Sequence, residues 1–218
     1  MNERINSEKQ SDAIAEADTE IGHEQPVKPE PKIYVADLAA YNNGNLHGVW
    51  LDAARDPADI YDDIHAMLAA SPMNATGENP PEEFTIHDFE QFGNCCIHEY
   101  DSIELVSKIA RGIAEHGYAF AAWADVQEGN PELFGHFAKA YIGRYESLDA
   151  YVQQGLEARG ADTKLTRLLT GSDLADLIDY IKVDAQAMAR DLYLSGDIYV
   201  YRVSAEQGGG VWLFSERE

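Results

Sequence analysis

The stretch KIYVADLAAYNNGNLHGVWLDAARDPADIYDDIHAML, from Lys32 to Leu68, decides the fold. Ile33-Tyr34-Val35-Ala36-Asp37-Leu38 has the β-branched and aromatic composition of a strand. Tyr41-Asn42-Asn43-Gly44-Asn45 supplies turn chemistry, because Asn-Gly tolerates positive φ. Leu46 to Ala53 reads as a second strand with Val49 and Leu51 on one face. Asp56 can cap a helix, Pro57 suits its first position, and Asp59 falls in the first turn, where the helix dipole favours an anion. Ile60, Ile64, Met67 and Leu68 recur at i, i+4, i+7 and i+8, the spacing of one helix face. Beyond a loop over 71–83, Phe84 to Phe89 is a third strand, alternating Phe84, Ile86 and Asp88 against Thr85, His87 and Phe89. The first ordered unit is predicted to be β-β-α-β.

Downstream the pattern turns helical. Asp101-Ser102-Ile103-Glu104 is a capping-box pattern ahead of apolar Leu105, Val106, Ile109 and Ile113, closed by His116-Gly117. Tyr118–Val126 reads as the next helix. Asn130-Pro131 opens another carrying Leu133, Phe134, Phe137 and Tyr141. Ser147 caps one that runs through Leu148, Tyr151, Val152 and Leu156 and stops near Gly160. Helices near Ser172–Asp179 and Asp184–Leu194 follow. A hairpin of Ile198–Val203 and Val211–Phe214, turning on Gly208-Gly209-Gly210, places Ile198, Val200, Val211 and Leu213 on one face.

These elements predict an α+β protein, a chain of small α/β and helical domains without internal repeats. The expected divisions are a disordered acidic tail over 1–31, an N-terminal ββαβ-type domain over 32–100, a helical middle domain over 101–145 and a C-terminal α/β domain over 146–218. The tail holds eight acids and three prolines. Its isolated Ile5, Ile14 and Ile21 bury too little surface to offset the entropy of ordering.

Charge dominates the composition. Hydrophobic residues make up 45% of the 218, ample for a core, yet the formal net charge is -23. From Asp52 to Glu104 there are thirteen acids and one base, Arg55. Such a one-sign field repels itself and opposes the compact state. It argues against binding nucleic acid or an anionic membrane, both of which need a basic footprint, and predicts basic partners. Duplex DNA carries about one charge per ~1.7 Å of axis, so this charge equals that on about 40 Å of duplex, or about 80 Å for a dimer. An acidic proteome, or charge kept for solubility, is the plainer explanation. The adjacent Cys95-Cys96 pair rarely satisfies disulfide geometry and suits a reducing cytoplasm. No segment has the ~20 apolar residues of a membrane span, and the polar N-terminus does not resemble a signal peptide.

Catalytic and ligand-binding motifs are scarce in the sequence. Phosphate-loop, dinucleotide, nucleophile-elbow and zincin motifs are missing. His87-Asp88, Cys95-Cys96 and His98 form the most metal-like cluster, but adjacent ligands seldom both face one tetrahedral ion. His47, His65, His116 and His136 stand alone, as surface or packing residues do. Carboxylate pairs are too plentiful for any one to signal a glycosidase. No catalytic residue, metal ligand or cofactor is assigned. What remains is an acidic surface: Asp52, Asp56, Asp59, Asp62, Asp63, Asp88, Glu90, Glu99, Asp101, Glu104, Asp125, Glu128, Glu132, Glu146, Asp149, Asp173, Asp176, Asp179, Asp191 and Asp197.

Several motifs occur together in a known order. Ile33 to Leu38, Tyr41-Asn42-Asn43-Gly44 and Leu46-His47-Gly48-Val49-Trp50-Leu51-Asp52 resemble the N-terminal signature of the ArdA antirestriction proteins. Ile86-His87-Asp88-Phe89-Glu90-Gln91-Phe92 is similar to the family's acidic-aromatic segment, and Phe137-Ala138-Lys139-Ala140-Tyr141-Ile142-Gly143 to a middle-region pattern. Ala187 to Asp197 resembles its C-terminal signature. The resemblance spans about 33–214. It implies a cytoplasmic protein of mobile genetic elements that mimics DNA and fills the DNA-binding groove of type I restriction-modification enzymes, blocking cleavage and modification. It also implies three small domains in an elongated, curved homodimer joined through the C-terminal domain. Asp52, Asp88, Glu90, Asp191 and Asp197 lie inside matching motifs; the other acids qualify by charge and expected exposure. Two features depart from the pattern: the 1–31 tail, and Lys182 in Tyr180–Gln186, where an acidic-aromatic run is usual. An acidic adaptor or inhibitor of another basic DNA-binding protein, and a metal-dependent hydrolase, are the alternatives.

Overall fold

A computed structural model describes residues 28–75 and 82–216. Most of the expected tail, residues 1–27, therefore lies outside the described residues, as do 76–81 of the predicted loop. Residues 28–31 are already tied to the fold: Glu30 N donates to Gln91 Oε1 at 2.9 Å, and Ala53 N donates to Pro31 O at 2.9 Å.

The architecture is mixed α and β, with two three-stranded antiparallel sheets. In the first, β1 (Lys32–Asp37) lies between β2 (Gly48–Asp52) and β3 (Phe84–Glu90). Residues opposite each other in such a ladder share a face. The inner face, with Ile33, Val35, Leu51 and Ile86 buried, packs on α2 (Pro57–Ala69) and α3 (Ile103–His116). The predicted stripe of α2 is the one that is buried, and Asp56 caps the helix by accepting from Ala58 N.

Strict alternation along β3 is not observed. Tyr34 pairs with Asp88 and Val35 with Ile86, so His87 has no partner and forms a bulge. One extra residue shifts the faces by one: Ile86 and Phe89 both turn toward the core cluster, and Asp88 and Glu90 turn outward opposite Tyr34 and Lys32. Leu38–Asn42, which takes in the end of the first predicted strand and the first two residues of the predicted turn, is instead a short helix, α1. It is capped by Asp37, whose Oδ1 accepts from Ala40 N at 3.1 Å and whose Oδ2 accepts from Ser71 Oγ.

The middle of the chain is a helix pair. Ser102, not Asp101, caps α3, accepting from Leu105 N at 3.2 Å. Gly117, at φ 72°, ends α3 and starts α4 (Tyr118–Val126), a conformation that L side chains avoid. The two helices meet where Gly112 faces the Phe120 ring.

The predicted helix through Tyr141 is corrected. Phe134–His136 is a 3-10 turn, α5 (Phe137–Ala140) is one short turn, and Tyr141–Tyr145 is a strand, β4. The reason is tertiary: β6 (Val211–Ser215) offers an antiparallel partner, with Tyr141 opposite Phe214 and Tyr145 opposite Val211. β6 is central in this second sheet, and β5 (Ile198–Arg202) completes the predicted hairpin. Its two faces enter two cores. Val211 and Leu213 join Ile198, Tyr151 and Leu192, whereas Trp212 and Phe214 join a cluster that continues through α4 and α3 to Ile33.

Of the remaining helices, α6 (Leu148–Ala158) is capped by Ser147 and α8 (Ala185–Leu194) by Asp184. Between them lies a helix absent from the sequence-based expectations, α7 (Ala161–Thr170), which has no buried residue. The segment expected as a helix near Ser172–Asp179 is a 3-10 helix over Ala175–Tyr180.

Candidate functional site

The acids are positioned by the same rules that build the core. Because Ile60, Ile64, Met67 and Leu68 turn inward, α2 must present Asp59, Asp62 and Asp63 outward, and all three are exposed with Asp56. Residues three and four apart on a helix have Cβ atoms about 5–6 Å apart, so these carboxylates form a tight row. On the outer face of the first sheet, Asp52 and Glu90 flank Lys32 in register, and Asp88 stands opposite Tyr34 in the next row. Asp52, Asp88 and Glu90 are exposed.

The surface continues through the middle of the chain. Glu99 and Glu104 are exposed. Glu104 Oε2 accepts from Tyr61 OH at 3.4 Å, and burial followed by this carboxylate pushes the Tyr61 hydroxyl pKa up. Glu99 does the same for Tyr100. Asp125, at the end of α4, accepts from Tyr201 OH at 3.0 Å and so joins α4 to β5. Glu128 and Glu132 are exposed in the following turn, and Glu146 and Asp149 are exposed at the start of α6. Asp173, Asp176, Asp179 and Asp191 are also exposed. Asp176 and Asp179 share a 3-10 helix, where side chains three apart eclipse, so they stack instead of drifting round the axis.

Two predicted residues are only half-exposed. Asp101 accepts from His98 N at 2.8 Å and closes a turn. Asp197 accepts from Ser195 Oγ at 3.0 Å after α8. Exposure also identifies acids outside the predicted set, among them Glu82, Glu83, Glu115, Glu157, Asp162 and Asp184. Asp37 is the contrast: at 0% exposure it is a structural cap.

Between described residues, few ion pairs neutralise this charge. Among the described residues the ion pairs are Arg55–Asp63 at 2.6 Å and two made by histidines, His98–Asp101 and His116–Glu115. Two further cations bond to carbonyls. Arg144 donates to Gly209 O through Nη2 at 2.8 Å and Nε at 3.2 Å. Lys108 donates to Pro131 O and lies 5.7 Å from the centre of the Phe134 ring.

The metal-like cluster does not assemble. Cys95 is buried and Cys96 exposed. His87 meets Tyr41 edge to face at 4.6 Å. Among the described residues no three His, Cys, Asp or Glu side chains are grouped to hold a metal ion. Burial, followed by nearby Asp125, pushes the Cys95 thiol up to about 11, which keeps it protonated at neutral pH. Among the described residues no helix is long and apolar enough to cross a membrane.

Fold and surface together define an acidic α+β protein that displays carboxylates on successive elements, few of them in ion pairs between described residues. The chain belongs to the ArdA family: the family model described as Antirestriction protein (ArdA) matches residues 33–207. Antirestriction is the function this membership implies, and the family is one of inhibitors. No curated protein matches the chain.

Proposed function

We propose that the protein protects incoming DNA by mimicking its charge and occupying the DNA-binding groove of a type I restriction-modification enzyme. The observation that supports this best is the display of exposed carboxylates on the first sheet, α2, the middle turns, α6 and the 173–191 region, with the cations Arg144 and Lys108 bonded to carbonyls. A groove that neutralises phosphates would gain the same charge-driven attraction from these groups, and that attraction weakens as salt rises. Occupying the groove is not catalysis, so the protein acts without a cofactor, in the cytoplasm where the restriction enzyme meets DNA. It blocks cleavage and modification alike, since both need DNA in the groove.

The active form is a homodimer joined through its C-terminal part. Leu168, Leu174, Leu177, Tyr180, Met188, Tyr193 and Leu194 are large apolar side chains left exposed between 168 and 194, an extent of apolar surface that favours a partner. The 32–100, 101–145 and 146–218 segments would then set the lengths of the acidic surface on each protomer.

Transformation of unmodified plasmid into cells with and without a type I system tests this reading. Expressing the protein should restore efficiency only where the system is present. Equal efficiencies with and without the protein in restricting cells would refute it. Binding to another basic DNA-binding protein with no such protection would instead support the adaptor alternative.

A further inference from the structure

The outer face of the first sheet carries aromatic rings among its acids, and charge mimicry alone does not require them. Trp50 is 41% exposed in the middle of β2, in a strand position where its inward neighbours Val49 and Leu51 pack toward the core. Its ring lies 5.5 Å from that of Tyr34 on the adjacent strand, tilted by 51°. Tyr34 is held down on the sheet: a Cβ at Gly48 would lie 2.8 Å from its Cζ and hydroxyl. Tyr41, 51% exposed, extends the aromatic surface through its contact with His87.

Register places a carboxylate beside each of the two central rings. Asp88 stands directly opposite Tyr34, where Cβ atoms are about 4.5–5.5 Å apart, and Asp52 is the next residue on the same face as Trp50, about 7 Å along the strand. Three carboxylates, Asp52, Asp88 and Glu90, face one ammonium, Lys32, on this surface.

We propose that this sheet face is a docking site for arginine side chains of a basic protein surface, with Trp50 and Tyr34 stacking guanidinium planes that Asp52 and Asp88 hold by their edges. The assignment rests on the proposed function, in which the partner is a phosphate-binding groove, and it names the side-chain chemistry of that groove at this end of the inhibitor. An ammonium is a compact, strongly hydrated point charge, whereas a guanidinium is planar, stacks on aromatic faces and offers a fork of donors to a carboxylate. Acids alone would attract both. Rings flanked by acids favour arginine. The chain's own residues 1–27 have the wrong sign to be the occupant, with seven acids and two bases.

Titration of the full chain with nona-arginine and with nona-lysine tests the proposal, read by tryptophan emission and by calorimetry. Trp123 and Trp212 are buried, so Trp50 dominates any emission change caused by surface binding. Nona-arginine should bind more tightly and alter the emission. Trp50→Ala should weaken nona-arginine about two- to fivefold and leave nona-lysine unchanged. Trp50→Thr, a strand-favouring substitution, should do the same if the alanine variant loses structure. Equal affinities for the two peptides, or an arginine preference that survives both substitutions, would overturn the proposal. So would Trp50 shielding from acrylamide that disappears on dilution, or on removal of residues 1–27, because the face would then hold a second copy or the chain's own segment. The peptides report on this face without a restriction enzyme. Failure of the wild-type protein to displace DNA from such an enzyme would count against the function alone, and failure of the peptides to discriminate would count against the arginine site alone.

Discussion

Gly112→Ala should destabilise the protein even though it replaces glycine inside a helix. An ideal Cβ at this position lies 2.1, 2.3 and 2.4 Å from Phe120 Cε1, Cζ and Cδ1. Carbon atoms in contact sit about 3.5–4.0 Å apart, so the ring would have to retreat by more than ~1 Å. It has little room, since His116, Phe134 and Phe137 place their rings 5.9, 5.7 and 5.3 Å from it. Helix propensity favours alanine by about 0.8–1.0 kcal/mol. Overpacking a closed core costs about 1–3 kcal/mol, and a clash this deep belongs at the upper end. The net loss should be about 1–2 kcal/mol. With a urea slope near ~2 kcal/mol/M, the midpoint falls by about 0.5–1 M at unchanged slope. Phe120→Ala removes the clashing atoms, so Gly112→Ala in that background should keep its helix-propensity gain of about 0.8–1.0 kcal/mol, giving a coupling of about 2–3 kcal/mol in the double-mutant cycle. A single Gly112→Ala midpoint equal to or above wild type would refute the packing argument for the α3–α4 pair.

Other outcomes follow from the same geometry. Asp62→Asn removes an exposed charge three residues from Asp59, so the urea midpoint should hold or rise slightly, by a few tenths of a kcal/mol, while affinity for a basic partner falls; a large loss of stability would mean that the acid serves the fold. Ser102→Ala removes the cap of α3 and should cost about 1 kcal/mol by thermal or urea unfolding, and Asp101→Asn should leave that cap intact. Cys96 should react with a thiol reagent at pH 8 and Cys95 should not, with mass spectrometry of the labelled peptide deciding which was modified. Because the folded Cys95 pKa lies near 11 and its ordinary value is 9.0, the unfolded chain ionises first: this contribution to stability is full below pH 9 and is lost as pH rises toward 11. Cys95→Ala should remove that share of the alkaline loss.

Legibility in the sequence followed the range of the interactions. α2 could be read from its own residues because Asp56, Pro57 and the Ile60–Leu68 stripe all lie within it. The terminal hairpin could be read for the same reason, its two strands being linked by only the eight residues 203–210, which end in three glycines. β4 could not: Tyr141–Tyr145 becomes a strand only because β6, some seventy residues later, pairs with it. The His87 bulge is equally invisible without the β1 register, and it is what turns Asp88 and Glu90 outward. α7 carries Ala161, Leu165, Leu168 and Leu169 at i, i+4, i+7 and i+8, but it has no side-chain cap and buries none of its residues, so its stripe lacks the start signal that marks α2. For the surface, composition identified charge but not display. Asp37 and Asp52 sit in neighbouring motifs with the same side chain, yet one is a buried cap and the other an exposed member of the sheet face. Only the packing of Ile33, Val35 and Leu51 separates them.

The most direct test of the account is DNA binding by a purified type I restriction-modification enzyme to an unmodified target, measured with increasing amounts of this protein at several salt concentrations. Competition for the groove predicts that bound DNA is lost as the protein saturates the enzyme, and that modification and cleavage fall in step with it. The protein's affinity should weaken as salt rises, and a variant with Asp52, Asp59, Asp62, Asp88 and Glu90 changed to their amides should compete far less well at low salt. Undiminished DNA binding with the protein in large excess would contradict the account, whatever else the protein proved to bind.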